Sequence, residues 1–209
     1  MTMRKRDLER RLSAVSGFSN PILEHEQYVT PSPIAAHLVH LAALHGDLDG
    51  PVVDLGTGTG VLAIATSLAG AGRVLGVELD DAALDVAREN ETTIDPPTPI
   101  DWVRGDATRA PVCTTEATVV MNPPFGAHRG NRHADRAFLA ATVDLASVSY
   151  SVHNAGSEAF VESFAADNGG EVTHAFRADV SLPKDYDHQS EAERTISTEV
   201  FRIEWADYS

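Results

Sequence analysis

The stretch Val52-Val53-Asp54-Leu55-Gly56-Thr57-Gly58-Thr59-Gly60 decides how we expect the chain to fold. Its apolar start predicts a buried strand, and its three glycines predict a tight turn into a helix at residues 60–69. Such a turn lets the backbone approach a ligand at the carboxyl end of a strand. The spacing departs from G-x-G-x-x-G and the P-loop lysine is missing, so a phosphate cradle is not indicated.

Strands and helices alternate around this turn. Strands are predicted at residues 51–55, 73–78, 100–103, 118–121 and 147–152, with helices at 60–69, 81–90, 134–145 and 158–167 and a proline-rich loop at 92–99. Strands joined through helices pair in parallel. Two alternating stretches, at 171–180 and 195–205, predict an antiparallel pair at the end of the chain.

Two helices precede this core. Leu8, Leu12 and Val15 recur at helical spacing, and a second helix is predicted from Ser32, as its cap, with Ile34, Leu38, Leu41 and Ala42 on the buried face. The chain has 209 residues, of which 43% are hydrophobic. That length supports one sizeable core, so we expect one α/β domain over residues 1–209, with an N-terminal helical cap at 1–45 and a core at 51–205.

The net charge is strongly negative, because 31 acidic residues face 16 basic ones. Such a surface repels nucleic acid at ordinary ionic strength. The excess of acids, with Lys5 and Lys184 as the only lysines, resembles proteins of salt-accumulating archaea. In molar salt the repulsion is screened, so the charge serves solubility. Alternatively, the negative charge forms an acidic face that binds a basic partner protein.

Cys113 is the only cysteine, which rules out an intrachain disulfide and a cysteine-based zinc site. We expect it to be a small buried side chain. No run is apolar enough for a signal peptide or a membrane span. We therefore expect a soluble protein of the reducing cytoplasm.

Two acidic residues follow predicted strands at the same sheet edge as the glycine turn. Glu78 ends the second strand, where a carboxylate can accept hydrogen bonds from both hydroxyls of a ribose. Asp106 follows the third strand and is placed to accept from an adenine amino group. Together they indicate a nucleoside-bearing ligand without pyrophosphate.

The most specific signal is Asn122-Pro123-Pro124-Phe125-Gly126 after the fourth strand. An adenine amino group or a carboxamide is a poor nucleophile, because its lone pair is delocalised. The side-chain oxygen of Asn122 and the carbonyl of Pro123 can each accept a hydrogen bond from one N–H group of the substrate, which frees that lone pair. The prolines hold the two acceptors rigid. Phe125 offers a face for stacking. The alternative is a proline turn that caps a strand.

These features resemble the class I S-adenosylmethionine-dependent methyltransferase family. The resemblance implies a Rossmann-like, seven-stranded, mostly parallel sheet with helices on both faces, S-adenosyl-L-methionine as cofactor, S-adenosyl-L-homocysteine as product, and no metal. It assigns cofactor binding to the glycine turn, the acidic residues and their neighbours: Asp54, Gly56, Thr57, Gly58, Gly60, Glu78, Leu79, Asp106, Ala107 and Asn122.

Within that family the chain resembles methyltransferase-like protein five, which methylates adenine N6 in small-subunit ribosomal RNA. The similarity extends over most of the chain and includes Glu26-Gln27-Tyr28-Val29-Thr30 and the Phe-Gly after the prolines. It implies that Gln27, Tyr28 and Thr30 close over the cofactor, while Asn122, Pro123, Pro124 and Phe125 hold the base.

Basic residues and histidines in two segments of the chain are candidates for RNA contact. Where the family tends to carry lysines, this chain has His128, Arg129, Arg132, His133, Lys184 and His188. These residues are candidate RNA contacts, and the alternative is a pair of ordinary solvated loops.

A protein partner is implied by the same resemblance. In the usual strand order of the family, residues 100–103 form an edge strand, which another protein can extend. The partner so implied is the small zinc-ribbon multifunctional methyltransferase subunit, in a heterodimer.

Two other functions compete. A methyltransferase acting on the glutamine amide (N5) of a release factor uses the same Asn-Pro-Pro motif, but usually has Tyr where Phe125 stands and lacks the segment at 27–30. The other competing function is that of a non-catalytic ribosome-assembly factor, which binds RNA and keeps a vestigial cofactor pocket. The intact Asp54, Glu78, Asp106 and Asn122 argue against that reading.

Overall fold

The computed structural model describes residues 3–19, 21–22, 26–114, 116–124, 134–182 and 194–206. Its helices and strands alternate as the sequence predicts. In chain order they are α1 (Lys5–Leu12), α2 (Ser32–His45), β1 (Val52–Leu55), α3 (Val61–Ala69), β2 (Val74–Glu78), α4 (Asp81–Ile94), β3 (Ile100–Arg104), β4 (Ala117–Met121), α5 (Ala134–Val143), β5 (Ala146–Asn154), α6 (Glu158–Asp167), β6 (Gly170–Leu182) and β7 (Arg194–Trp205).

The strands form one seven-stranded sheet in the order β3-β2-β1-β4-β5-β7-β6. Pairings among β1 to β5 are parallel, whereas β7 pairs antiparallel with both β5 and β6. The predicted mixed sheet and its antiparallel C-terminal pair are therefore confirmed, and β3 lies at an edge as expected. The order in which strands are added to the sheet reverses between β1 and β4, and such a switch point opens a crevice at the carboxyl ends of these strands.

Helices cover both faces of the sheet. On one face α1, α2 and α3 contribute Leu8, Leu38 and Ile64 to a buried cluster. On the other face α5 and α6 contribute Leu139 and Phe164 to a second cluster. Alternate residues of the central strands supply each cluster, as strand geometry requires. No helix in the described parts of the chain is long and apolar enough to cross a membrane.

Helix α4 is longer than predicted, because it continues through Thr92 to Ile94. The hydroxyl groups of Thr92 and Thr93 donate to the carbonyls of Arg88 and Glu89 one turn earlier, and Ile94 is buried in the core. Tertiary burial overrides the weak helical propensity of threonine here. The proline loop therefore begins after Asp95, where the backbone turns left-handed at φ 51°.

Two smaller predictions were wrong. Helix α2 is capped by Pro31, and Ser32 is already helical without a capping side-chain bond. Cys113 is exposed, since it lies in the loop between β3 and β4 and not in a packed element.

Candidate active site

A pocket lies at the carboxyl ends of β1, β2 and β4. Its walls come from the glycine turn after β1, the residues after β2, β3 and β4, the segment before α2, and α5. The lining residues are Phe18, Glu26, Gln27, Tyr28, Val29, Thr30, Asp54, Gly56, Thr57, Gly58, Thr59, Val61, Leu62, Glu78, Leu79, Asp106, Ala107, Asn122, Pro124 and Phe138. One crevice thus gathers residues that are widely separated in the sequence.

The glycine turn needs glycine for two reasons. Gly58 has a φ of 55°, in the left-handed region that L side chains rarely adopt. A Cβ atom at Gly58 would also lie 2.9 Å from the ring of Phe18. The turn is therefore built so that an aromatic side chain and a ligand can both approach its backbone.

Asp54 lies at the end of β1 and is 1% exposed. Its Oδ2 atom accepts hydrogen bonds from the Thr57 hydroxyl at 2.5 Å and the Ala63 N–H at 2.9 Å. Burial raises the pKa of this carboxyl to about 7, although these two hydrogen bonds oppose the shift. Its Oδ1 atom is buried and has no partner among the described residues.

Glu78 is held against the turn by backbone groups. Its carboxylate accepts hydrogen bonds from the N–H groups of Gly58 at 2.9 Å, Leu79 at 2.8 Å and Asp80 at 3.0 Å. A carboxylate has about four acceptor positions, so it can still accept from a ligand. The side chain is fixed in place before any ligand arrives.

Asp106 also lines the pocket and is held by the residue two positions after it. Its Oδ1 atom accepts from the backbone N–H of Thr108 at 2.9 Å and from the Thr108 hydroxyl at 2.7 Å. The adjacent Ala107 is buried and begins a single turn of 3₁₀ helix. The acidic side chain is thus presented at the mouth of the pocket.

Asn122 follows β4, and its amide group faces the pocket. Its Nδ2 atom donates to Thr30 Oγ1 at 3.0 Å. Its Oδ1 atom is buried and has no hydrogen-bond partner among the described residues. A buried, unpaired acceptor is destabilising, so this atom is suited to a donor that comes from outside the protein. Pro123 is buried behind the wall and Pro124 lines it.

The segment before α2 is tied to helix α4 at two points. The amide of Asn90 accepts from the N–H of Ser16 at 2.8 Å and donates to the carbonyls of Ser16 and Thr59. Farther along, Gln27 accepts from the N–H of Ile22 and donates to Asp80 at 2.8 Å. Tyr28, which is 48% exposed, follows at the pocket mouth.

Most of the predicted site residues meet in this pocket. Gly60 does not line it, and serves as the left-handed N-cap of α3. Phe125 and all six RNA-contact candidates (His128, Arg129, Arg132, His133, Lys184, His188) lie outside the described residues.

Sequence reasoning did not single out Phe18 and Phe138 as pocket residues. They stand within 3 Å of where Cβ atoms on Gly58 and Gly56 would be. Only the need for glycine at those two positions hinted that bulky neighbours crowd the turn. No spacing rule identified which aromatic residues they were.

The charge of the pocket limits what it can bind. Its walls carry the carboxyl groups of Glu26, Asp54, Glu78 and Asp106, and no lysine or arginine of the described residues lines it. Phosphate-bearing ligands would be repelled, whereas a positively charged nucleoside would be attracted. No cluster of three or more metal-ligating side chains occurs among the described residues.

Comparison with known proteins identifies relatives over nearly the whole chain. The chain is 33% identical to the rRNA N(6)-adenosine-methyltransferase Mettl5 of Drosophila melanogaster, covering 97% of both chains. It is 34% identical to METTL5 of Danio rerio over 79% of this chain and 81% of that one. The family model for ribosomal protein L11 methyltransferase (PrmA) matches residues 39–99, which contain the glycine turn.

Solved structures of methyltransferases share the fold of this chain. A candidate RNA methyltransferase from Pyrococcus horikoshii, PH1948, superposes with a TM-score of 0.85 at 36% identity and full coverage of both chains. Magnesium protoporphyrin IX methyltransferase of Synechocystis, solved with bound S-adenosylmethionine, shares the fold with a TM-score of 0.64 at 16% identity.

Proposed function

Since the chain belongs to the Mettl5 family of rRNA N6-adenosine-methyltransferases, we propose that it methylates the N6 nitrogen of an adenine in small-subunit ribosomal RNA. Family membership makes it an S-adenosylmethionine-dependent RNA methyltransferase. Transfer to a planar nitrogen is supported by the Asn122 Oδ1 atom, which is buried at the pocket and has no partner among the described residues. The choice of adenine N6 over a glutamine amide rests on the relatives.

Activation of the amine follows from that acceptor. The bound cofactor supplies an electrophilic methyl group on a sulfonium. Asn122 Oδ1 and the Pro123 carbonyl accept hydrogen bonds from the two N–H groups of the substrate amine, which draws its nitrogen toward tetrahedral geometry. Because the acceptors are fixed before the substrate arrives, little reorganisation is needed. No general base is required before transfer, since the nitrogen loses its proton readily once it is methylated.

The acidic walls are proposed to hold the cofactor. Glu78 accepts from its ribose hydroxyls, Asp106 from its adenine amino group, and Asp54 complements its positive charge. The glycine turn and Leu79 pack against it, and Gln27, Tyr28 and Thr30 form the cover. This assignment is supported by the anionic character of the pocket and by the buried Asp54 Oδ1 atom, which has no partner among the described residues.

Recognition of the base and the RNA is assigned to Phe125, to the segment that follows it and to the segment between β6 and β7. Phe125 stacks on the adenine, which must leave its helix or already be single-stranded, and unstacking costs about a few kcal/mol. His128, Arg129, Arg132 and His133, with Lys184 and His188, contact the RNA backbone. Arg and protonated His bind phosphate, which supports this assignment.

The free edge of β3 is proposed as the docking strand for the small zinc-ribbon methyltransferase subunit. Among the described residues β3 pairs with β2 alone, and Asp101 and Arg104 on it are exposed. A second chain can continue the sheet there. We expect the chain to be poorly soluble or weakly active alone and to purify with that subunit. A monodisperse and fully active single chain would contradict the heterodimer.

The proposed function is tested by mapping N6-methyladenosine on ribosomal RNA from cells with and without the gene. One adenine in small-subunit RNA should lose its methyl group when the gene is deleted, and purified protein should restore it. Labelled methyl on a release-factor glutamine instead would favour the protein-methylating alternative. RNA binding without any transfer would favour the assembly-factor alternative.

A further inference from the structure

Thr30 makes a contact that its expected role over the cofactor does not explain. Its Oγ1 atom accepts the hydrogen bond from Asn122 Nδ2 at 3.0 Å, although the two residues are 92 positions apart in the sequence. Thr30 is only 7% exposed, so water competes little for this bond. The hydroxyl therefore acts on the orientation of the Asn122 amide.

That orientation matters because an amide has a donor side and an acceptor side. Rotation by half a turn exchanges them with little change in shape. With the NH₂ group on Thr30, the Oδ1 atom is left for a donor from the substrate. With the amide reversed, its NH₂ group would face the amino group of the substrate, donor against donor.

Both partners of this bond are held by rigid chain. Thr30 is followed by Pro31, whose carbonyl accepts from the N–H groups of Ile34 and Ala35 at the start of α2. Asn122 follows Met121, which is fully buried and pairs with Leu55 and Ser151 in the sheet. The hydrogen bond thus joins two immobile points and fixes the plane of the amide.

We propose that Thr30 is a positioning residue for methyl transfer: its hydroxyl anchors the Asn122 amide in the plane in which Oδ1 can face the substrate nitrogen. A hydroxyl can accept or donate, so the bond fixes the plane, and the donor N–H groups of the substrate favour the orientation with Oδ1 toward them. This inference rests on the proposed function, because it needs Asn122 to accept from the substrate. It gives Thr30 a role in the chemical step, beside its proposed place in the cover of the cofactor.

The test measures transfer of tritiated methyl from S-adenosylmethionine to total ribosomal RNA from cells lacking the gene. Thr30→Val keeps the shape of the side chain and removes the hydroxyl, and Thr30→Ala is a second variant should valine not fold. Either change should lower kcat about ten-fold, the effect of losing one such hydrogen bond. Thr30→Ser, which keeps the hydroxyl, should restore most of the rate.

Affinity for S-adenosylmethionine, measured by calorimetry, separates positioning from cofactor contact. Any loss of affinity in Thr30→Val and Thr30→Ala should be smaller than the loss of kcat, which is measured at saturating cofactor. Thr142→Val is a matched control, because Thr142 is fully buried and its hydroxyl donates only to the carbonyl of Leu139 in α5. That control should keep the wild-type kcat.

Two outcomes would overturn the inference. One is a wild-type kcat in both Thr30→Val and Thr30→Ala. The other is weaker cofactor binding with kcat unchanged. Both are distinct from failure of the proposed function, in which the wild-type protein would transfer no methyl group to ribosomal RNA.

Discussion

Asp54 is a buried carboxyl group beneath the proposed cofactor site, and its charge is finely balanced. Burial raises its pKa to about 7, so a positive charge in the pocket decides whether it ionises. A bound cation stabilises the carboxylate and lowers its pKa. Cofactor binding and ionisation of Asp54 are therefore linked.

This linkage predicts how affinity for S-adenosylmethionine depends on pH. Below pH 7 the free protein carries a protonated Asp54, and binding must remove that proton; affinity should fall as the pH is lowered through 7. The nearby Glu78 is the other carboxyl that acts on Asp54. Calorimetry across this range checks the slope. Asp54→Asn should bind weakly with a flat profile, and a flat wild-type profile would contradict the linkage.

At the scale of elements, α4 organises the cover of the pocket. Asn90, which is 2% exposed, bonds to both backbone groups of Ser16 and to the carbonyl of Thr59 in the glycine turn. One side chain thereby sets the distance between the N-terminal segment and the turn. The ring of Phe18 is held over Gly58 as a result.

Asn90→Ala should release that segment. Loss of the amide leaves three backbone groups without their partner, and we expect the free energy of unfolding to fall by about 1–3 kcal/mol. Affinity for S-adenosylmethionine should fall as well. Chemical denaturation and calorimetry measure the two effects. Arg88→Ala is the control on the same helix, since Arg88 pairs only with exposed Asp85, and equal losses in both variants would refute a specific role for Asn90.

Elements and their order could be predicted from sequence, because the periodicity of apolar residues and the capping residues are local signals. Asp80 caps α4 and Gly70 ends α3, and both are residue types that commonly take these positions. The contacts of Asn90 with Ser16 and of Thr30 with Asn122 could not be predicted. They join positions 74 and 92 residues apart, and no spacing rule reports such pairs. The exposure of Cys113 likewise depends on which loop lies at the surface.

At the scale of the whole molecule, the N-terminal helices are joined to the C-terminal strands by a buried ion pair. Arg202 on β7 donates to Asp47, just after α2, at 2.8 Å, and Tyr150 on β5 donates to the same carboxylate at 2.5 Å. Arg202 is 5% exposed. The network connects both ends of the chain across the sheet.

Breaking this network should destabilise the fold without altering the pocket. Asp47→Ala removes one of the two carboxylates paired with Arg202 and leaves Glu204, so we expect a loss of about 1.5–3 kcal/mol in unfolding free energy. Thermal and denaturant unfolding measure it. Exposed Asp85→Ala is the control with little expected effect. A loss no larger than that of the control would contradict the prediction.

The net charge of −15 should govern how the molecule meets RNA. Added salt screens the repulsion between an acidic surface and phosphate. We expect thermal stability and methyl transfer to RNA to rise between low salt and molar potassium chloride. Transfer that falls steeply with salt would instead indicate binding through counterion release. If the protein reached full thermal stability at low salt only after a basic protein was added, the negative charge would instead serve to bind such a partner.

The Asn122 acceptor is tested most directly by counting N6-methyladenosine in ribosomal RNA after reaction with wild-type protein and with Asn122→Ala, by mass spectrometry of nucleosides. Both proteins should bind S-adenosylmethionine with nearly equal affinity, since the amide is proposed to act on the substrate amine. Only the wild type should form the methylated base. N6-methyladenosine at the wild-type rate from Asn122→Ala would contradict the proposed activation of the amine.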